Sequence, residues 1–202
     1  HSAVISHAKK LRKQPSEILL DNSWHFAAMK GISNEIKRGR PDLVHFCLLE
    51  ASSIPLFQEN KIRIYVHTIN DDVIILGNDV QLPKSYHRFA GLIEKLYKEK
   101  TVTSDKITLL ELKKMNFSQL IDMINPKKTI GFSTQGKPSS IHQVTSKLDD
   151  DTCIVIGGFQ KGHFTEMVQK RIDQLCKIEN GSFEAHVIIS RILYEYEKTI
   201  FM

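Results

Sequence analysis

A loop rich in glycine follows a short apolar run in the last quarter of the sequence. Residues Cys153–Ile156 lead directly into Gly157-Gly158, and Gly162 closes the loop. Glycine has no Cβ atom, so a flat ligand can approach such a backbone closely. The spacing imitates the first half of a phosphate-binding P-loop, but His163-Phe164 occupies the place of the required lysine and serine or threonine. We predict a loop that holds a ligand through backbone groups; an ordinary turn is the alternative.

Two further loops of small residues follow apolar runs in the final third of the chain. Strand-like and helix-like segments alternate there, which predicts a parallel α/β sheet flanked by helices. Ligands of such sheets bind beyond the carboxyl ends of the strands, so three loops on one edge would form one pocket. Three unrelated turns are the alternative. The loops are Ser133–Gly136, Gly157–Gly162 and Cys176–Gly181.

An arginine stands just before a helix whose first turn carries an aspartate. In Arg40-Pro41-Asp42, the proline suits the first turn and the aspartate suits the positive helix end. A carboxylate–guanidinium fork would hold Arg40 in place for a phosphate or a base edge. An incidental surface ion pair is the alternative.

A second cationic group precedes another predicted helix, from Tyr86 to Lys100. Lys84–Arg88 combines cations, a hydroxyl and aromatic rings, a mixture that suits phosphate contacts and stacking on unpaired bases. Cations at a helix start oppose the helix dipole, which favours a functional reason over a structural one. Lys9–Lys13 and Lys37–Arg40 are also basic, whereas acids concentrate at Asp149–Asp151.

The composition is that of an ordinary globular chain with moderate positive charge. The 202 residues carry a formal net charge of +5, which favours an anionic partner without identifying it. The three cysteines are scattered in apolar contexts and predict small core residues in a reducing compartment. The histidines show no ligand spacing, so we predict no metal. No apolar run is long enough to span a membrane.

The middle of the chain changes to a period of two. Ile62, Ile64 and Val66 alternate with polar residues before a turn, which predicts a β-hairpin insertion at about 62–83. A further strand is predicted near Ile107–Leu110. Otherwise the pattern predicts a single domain over residues 1–202.

Three separated segments resemble one known family. RPDLVHFCLLEASSIPL, LPKSYHRFAGLIEKLY and KLDDDTCIVIGGFQKGHF, in this order, are similar to the small-subunit rRNA pseudouridine-N1-methyltransferases of ribosome biogenesis, of archaeal type. The resemblance covers most of the chain. It implies the SPOUT class: an α/β fold with a C-terminal trefoil knot, here at about 128–202, that works as a homodimer in the cytoplasm. The sequence begins where the family completes its first strand, so that strand is expected to be missing.

The resemblance also implies a cofactor and assigns residues to it. S-adenosylmethionine would be held by the knotted loops, and small-subunit rRNA would lie on the cationic groups, with Asp42 stabilising Arg40. The implied RNA-binding residues are Arg40, Asp42, Lys84, Ser85 and Arg88. The implied cofactor residues are Phe132, Ser133, Thr134, Gly157, Gly162, Cys176, Lys177, Ile178, Glu179, Asn180 and Gly181.

The implied reaction places a methyl group on N1 of a pseudouridine in small-subunit rRNA. Arg40 would stabilise negative charge on the ring, and the sequence assigns no base for the N1 proton. Two alternatives stay open: an rRNA-binding assembly factor without catalysis, and a SPOUT methyltransferase that modifies tRNA or unmodified uridine. Other assembly factors or ribosomal proteins are further expected partners.

Overall fold

Two β-sheets organise the chain, and helices cover them. The computed structural model describes residues 1–178 and 183–201. Within that part of the chain the α-helices are α1 (Ser2–Leu11), α2 (Asn22–Met29), α3 (Pro41–Ser52), α4 (Pro55–Gln58), α5 (Tyr86–Glu99), α6 (Phe117–Ile124), α7 (Ile141–Thr145), α8 (Glu166–Gln169) and α9 (Ala185–Phe201). The strands are β1 (Tyr65–His67), β2 (Asp72–Leu76), β3 (Thr101–Ser104), β4 (Ile107–Lys114), β5 (Lys128–Ser139), β6 (Thr152–Ile156) and β7 (Gln174–Ile178). Short 3-10 turns lie at Pro15–Glu17 and Glu35–Lys37.

The last third of the chain forms a parallel sheet with strand order β6–β5–β7. Lys128–Phe132 of β5 pairs in register with all of β6. The predicted parallel α/β sheet is therefore confirmed. Because the strands are parallel, their carboxyl ends point to one edge.

Helices cover both faces of this sheet. On one face, Ile130 and Ile156 join a core with Ile192 of α9 and with apolar residues of α7. On the other face, Cys153 and Val155 pack with α6 and α8. The alternation along β6 follows from the period of two in a strand, and because both faces are covered, all four residues from Cys153 to Ile156 are apolar.

Strand β5 approaches β7 twice. Both Phe132 and Lys137 pair with Cys176, and the register shifts between them. The sequence predicts a loop at 133–136, but these residues remain within β5. Gly136 lies against the backbone of Cys176: a Cβ atom at residue 136 would lie 2.4 to 2.7 Å from three of its main-chain atoms. Only glycine permits this approach.

The middle of the chain forms an antiparallel sheet with strand order β1–β2–β4–β3. β1 and β2 form a hairpin inside the range 62–83. This hairpin is half of a larger sheet, because β4 pairs with β2 and also with β3. The sequence pattern predicted the strand near Ile107–Leu110 but not strand β3. Helices α3 and α5 cover one face through Leu48, Phe89 and Ile93.

All three cysteines are free thiols, as the pattern predicted. Burial raises the pKa of Cys47 to about 12 and that of Cys153 to about 11, so both stay protonated near neutral pH. Cys176 is fully buried. These side chains act as small apolar residues of the core.

A buried histidine anchors the amino-terminal helices. His25 is 0% exposed, and its Nδ1 accepts the Asp21 backbone N–H at 3.0 Å. Since Nδ1 is an acceptor, Nε2 carries the proton and donates to His7 Nδ1 at 2.9 Å. Burial, followed by the neighbouring His7, lowers the pKa of His25.

The lowered pKa of His25 makes stability depend on pH. The folded state keeps a neutral imidazole, whereas the unfolded chain takes up a proton below its ordinary pKa of 6.5. The contribution of His25 to the free energy of unfolding is therefore largest above that pH and decreases as the pH falls below it. We expect the urea midpoint to fall between about pH 7 and pH 5, and to fall less in His25→Asn, which retains an acceptor for Asp21. The exposed control His87→Asn should keep the wild-type pH dependence; equal behaviour of wild type and His25→Asn would contradict the assignment.

Candidate functional site

The glycine loop begins at the carboxyl end of β6. Gly157 and Gly158 follow Ile156 directly, and Gly162 has φ +98°, a conformation that side chains other than glycine rarely adopt. A Cβ atom at 157 would lie 2.7 Å from the ring of Phe159. Phe159 thus packs on Gly157, and the loop lies at the carboxyl edge of the sheet, where ligands of parallel sheets bind.

Strands β5 and β7 bring further predicted cofactor residues to the same sheet. The side chains of Phe132, Cys176 and Ile178 are buried, so these residues can offer a ligand chiefly their backbone. Ser133 is half-buried, whereas Thr134 and Lys177 are exposed. The predicted residues Glu179, Asn180 and Gly181 lie outside the described residues.

The predicted fork between Arg40 and Asp42 is confirmed. Arg40 Nε donates to Asp42 Oδ1 at 2.8 Å, and Nη2 donates to Oδ2 at 2.9 Å. This hydrogen bonding raises the pKa of the guanidinium and lowers the pKa of the Asp42 carboxyl. The two side chains are 29% and 37% exposed, so the pair contributes little to stability but holds the cation in one orientation.

The second cationic group lies at the start of α5, as predicted. Lys84, Ser85 and Arg88 are exposed, and Ser85 occupies the N-cap position without a capping hydrogen bond from its side chain. Its hydroxyl therefore remains available to a ligand. His45 of α3 contacts the Pro83 carbonyl at 2.7 Å, which fixes this segment beside α3.

The two segments that carry the cationic groups are joined at Asp21, a buried residue that caps α2, and at its neighbour Asn22. Its carboxylate accepts the hydroxyl of Tyr86 at the start of α5, and it also accepts the Ser23 N–H at 2.7 Å. Burial and the bond to Asp21 raise the pKa of Tyr86. The next residue, Asn22, donates its backbone N–H to the Gly39 carbonyl at 2.9 Å, immediately before Arg40. Asp21-Asn22 therefore joins the starts of α2, α3 and α5.

The glycine loop lies against the same junction. The Asn22 side-chain amide donates to Gln160 at 3.0 Å, and the Lys37 ammonium lies 5.2 Å from the centre of the Phe159 ring. A Cβ atom at Gly158 would lie 3.4 Å from Val44 of α3. The structure thus brings the glycine loop and the Arg40 segment together, although about 120 residues of sequence separate them.

Sequence reasoning missed Asp21, Asn22 and Tyr86 as organising residues. Asp21 followed by Asn22 looks like any helix cap, and the partners of Asn22 lie up to 138 residues away. A Tyr at the start of a basic helix gives no sign that its hydroxyl is used internally.

A cavity of about 1100 Å³ lies behind β6, between that strand, α3, α6, α9 and β1. Of the predicted site residues that the structure describes, only Arg40 and Gly157 line it. The cavity therefore does not coincide with the predicted cofactor site, whose other described residues lie on β5, on β7 and at the end of the glycine loop.

Fold and site together define an α/β protein with a glycine loop at the carboxyl edge of a parallel sheet and an arginine fork beside that loop. The chain belongs to the EMG1/NEP1 methyltransferase family, whose model matches residues 1–197.

Curated relatives and a solved structure agree with this assignment. The chain is 34% identical, over 99% of its length and 90% of the relative, to the ribosomal RNA small subunit methyltransferase Nep1 of Thermococcus sibiricus. It is 36% identical to the protein of that name from Archaeoglobus fulgidus, over 98% of this chain and 87% of the relative. The crystal structure of Archaeoglobus fulgidus Nep1 bound to S-adenosylhomocysteine superposes with a TM-score of 0.86 at 32% identity, covering all of this chain and 90% of that one.

The contact of Gly136 with Cys176 predicts a large effect of one methyl group. Gly136→Ala places a Cβ atom 2.4 Å from the Cys176 backbone, so β5 and β7 must separate. We expect the free energy of unfolding to fall by about 1–3 kcal/mol or more, measured by urea titration. Gly91→Ala is the matched control, because nothing lies within 4 Å of that Cβ atom; it should stabilise α5 by about 0.5–1 kcal/mol. Equal effects of the two substitutions would contradict the close approach.

Proposed function

We propose that this protein uses S-adenosylmethionine to methylate N1 of a pseudouridine in small-subunit rRNA. The observation that carries the proposal is the contact between the glycine loop and the segment of Arg40. A cofactor held at the first and an RNA base held at the second would be neighbours. The names of the relatives and the S-adenosylhomocysteine in the crystal structure of one of them support the cofactor and the substrate class.

The residues at the sheet edge fit such a cofactor. S-adenosylmethionine carries no phosphate, and the loop has His163-Phe164 where a P-loop would have its lysine and hydroxyl. The Phe159 ring occupies the Cβ position of Gly157, so Gly157 would offer the cofactor its main chain, as would Gly162, Phe132–Thr134 and Cys176–Ile178. When bound, the cofactor supplies an electrophilic methyl group on a sulfonium centre.

The RNA would lie across the starts of α3 and α5. Arg40 would bind a phosphate or the target base, with Asp42 holding its guanidinium in place, while Lys84, Ser85 and Arg88 would contact the backbone. These groups converge because Asp21 joins both helix starts. The target base must leave its stack to reach the glycine loop, which costs a few kcal/mol in a duplex and less in a loop.

The chemistry needs alignment more than a special nucleophile. Pseudouridine, unlike uridine, has a ring N–H at N1. In the proposed reaction the N1–CH₃ bond would form as the S–CH₃ bond breaks, which leaves S-adenosylhomocysteine, and the N1 proton would be released to solvent. Holding the base beside the cofactor supplies the main rate advantage. The pinned guanidinium of Arg40 is placed to stabilise negative charge on the ring.

We also propose that the chain is threaded as a trefoil knot over about residues 128–202, with residues 62–83 inserted ahead of it. Two observations support the threading. Phe132 and Lys137 both pair with Cys176. Because a strand residue pairs with one residue on each of its two sides, these two pairings place β5 on both sides of β7. Gly136, between them, lies against the Cys176 backbone, where a chain that passes over β7 to its far side would run.

We further propose a homodimer that acts in the cytoplasm. Phe46 of α3 is 51% exposed and lies 5.8 Å, ring to ring, from His186 of α9, and Tyr194 of α9 is 56% exposed. Large exposed side chains on adjacent helices are typical of a subunit interface. Phe46→Glu should shift the sedimentation mass from twice 23.2 kDa towards a single chain. An unchanged mass would remove Phe46 from the interface. Within the described residues, no helix is long and apolar enough to cross a membrane.

The proposed reaction is tested by mass spectrometry of two RNA hairpins incubated with the protein and S-adenosylmethionine. The hairpins are identical small-subunit rRNA loops, one with pseudouridine and one with uridine. We expect one added methyl group on the pseudouridine hairpin alone. Methylation of both would point to a uridine enzyme, and no methylation with tight RNA binding would point to an assembly factor.

Two variants separate the proposed surfaces. Arg40→Ala should weaken binding of the hairpin roughly tenfold or more, because it removes charge-assisted contacts, and should leave the cofactor affinity unchanged. Gly157→Val should weaken cofactor binding and leave the RNA affinity unchanged, because its side chain meets the Phe159 ring and so disturbs the glycine loop. Both affinities are measured by titration calorimetry. Parallel loss of both in either variant would show that the surfaces are not distinct.

A further inference from the structure

The only tryptophan of the chain lies on the surface, stacked on a histidine. Trp24 of α2 is 54% exposed. Its ring lies 5.0 Å from that of His7 of α1, with 24° between the ring planes. His7 is in turn fixed by its hydrogen bond to the buried His25. His7 therefore covers one face of the indole, and more than half of Trp24 remains exposed to solvent.

The surroundings of Trp24 are cationic. Residues 1–16 contain Lys9, Lys10, Arg12 and Lys13 and no acidic residue. Lys13 contacts Glu94 of α5, whereas Lys9, Lys10 and Arg12 are exposed. Of the next two acids along the chain, Glu17 pairs with Lys98 of α5 at 2.9 Å, and Asp21 is buried and accepts the hydroxyl of Tyr86. The outer surface of α1 and α2 therefore favours a polyanion.

This surface is continuous with the proposed RNA-binding groups. Trp24 lies three residues after Asp21, one helical turn along α2, and Asp21 bonds to Tyr86 between Ser85 and Arg88. A strand of RNA bound at the start of α5 can therefore continue over α2 toward α1. The roles given above to Arg40 and α5 leave the basic segment Lys9–Lys13 unused.

We infer that α1 and α2 form a second RNA-binding surface, on which an unpaired base stacks on Trp24 while Lys9, Lys10 and Arg12 bind the flanking phosphates. The inference rests on the proposed RNA substrate and extends its path on the protein. An aromatic ring beside exposed cations is the combination that holds single-stranded nucleic acid without sequence preference. The support from His7 matters because it fixes the indole before the base arrives.

Other occupants of this surface fit less well. A second copy of the chain would bring its own Lys9–Lys13 segment against another cationic surface if the contact were symmetric. An anionic membrane would match the charge, but the exposed apolar residues of α1, Ile5 and Leu11, lie among its cations, with Ile5 one turn before Lys9, and do not form a separate apolar face.

The test uses the fluorescence of Trp24, which no other tryptophan obscures. The wild-type protein is titrated with the pseudouridine hairpin extended by about 12 unpaired uridines, a length within the known site sizes. Binding is followed in parallel by the anisotropy of a dye on the RNA. We expect the tryptophan emission to be quenched with the same midpoint as the anisotropy change. N-acetyltryptophanamide corrects for absorption by the RNA.

Variants separate stacking from charge. Trp24→Ala should weaken binding of the extended hairpin roughly 5- to 10-fold, and Trp24→Phe should restore most of it. Phe26→Ala is the matched control, since Phe26 is 61% exposed on α2 but lies two residues on, on another side of the helix. Lys10→Glu should lower the magnitude of the slope of log K for RNA binding against log salt concentration by about 0.7. Lys147→Glu should leave that slope unchanged, because Lys147 lies before β6, at the end of the strand away from the glycine loop.

The outcomes distinguish the inference from the function on which it rests. Quenching that tracks RNA binding and needs the unpaired extension supports the surface. Arg40-dependent RNA binding and methylation without quenching, and with Trp24→Ala equal to wild type, would overturn the surface and leave the proposed function intact. Absence of RNA binding would overturn both. Quenching by vesicles of anionic lipid, but not by RNA, would overturn the inference in favour of a membrane.

Discussion

The pairing of β5 with β6 on one side and β7 on the other is the constraint on which the rest of the structure depends. It aligns the strands in parallel, so the glycine loop after Ile156 and the end of β7 emerge at one edge. Parallel strands need crossover connections, and the helices on both faces of the sheet belong to these connections or pack on the strands. The same pairing requires glycine at residue 136, because the chain there lies on the Cys176 backbone.

A second constraint is polar and lies away from the sheet. The buried carboxylate of Asp21 is satisfied by Tyr86 and Ser23, and Asn22 bonds to Gly39 and Gln160. A buried charge left without partners is costly, so the segments that satisfy it are held in place. One capped helix start thereby fixes the Arg40 fork, the cationic start of α5 and the glycine loop relative to each other.

The features predicted correctly from the sequence are those whose partners are close along the chain. Arg40 and Asp42 are two residues apart at a helix start, so residue type and local geometry suffice for the fork. The glycine loop after Cys153–Ile156 is a local pattern as well. The failures involve distant partners: residues 133–136 look like a loop but remain in β5 because β7 pairs beyond them, and β3 becomes a strand because β4 accepts it.

The sequence by itself determined the parallel α/β sheet, the Arg40 fork and the basic starts of the helices, because apolar periodicity, helix capping and charge act over a few residues. Only the tertiary structure decided that the glycine loop lies against the Arg40 segment, that Asp21 joins three helix starts, and that His7 supports Trp24. These contacts link residues that are 17 to more than 100 positions apart. Their partners are chosen by how whole elements pack, which no local pattern encodes.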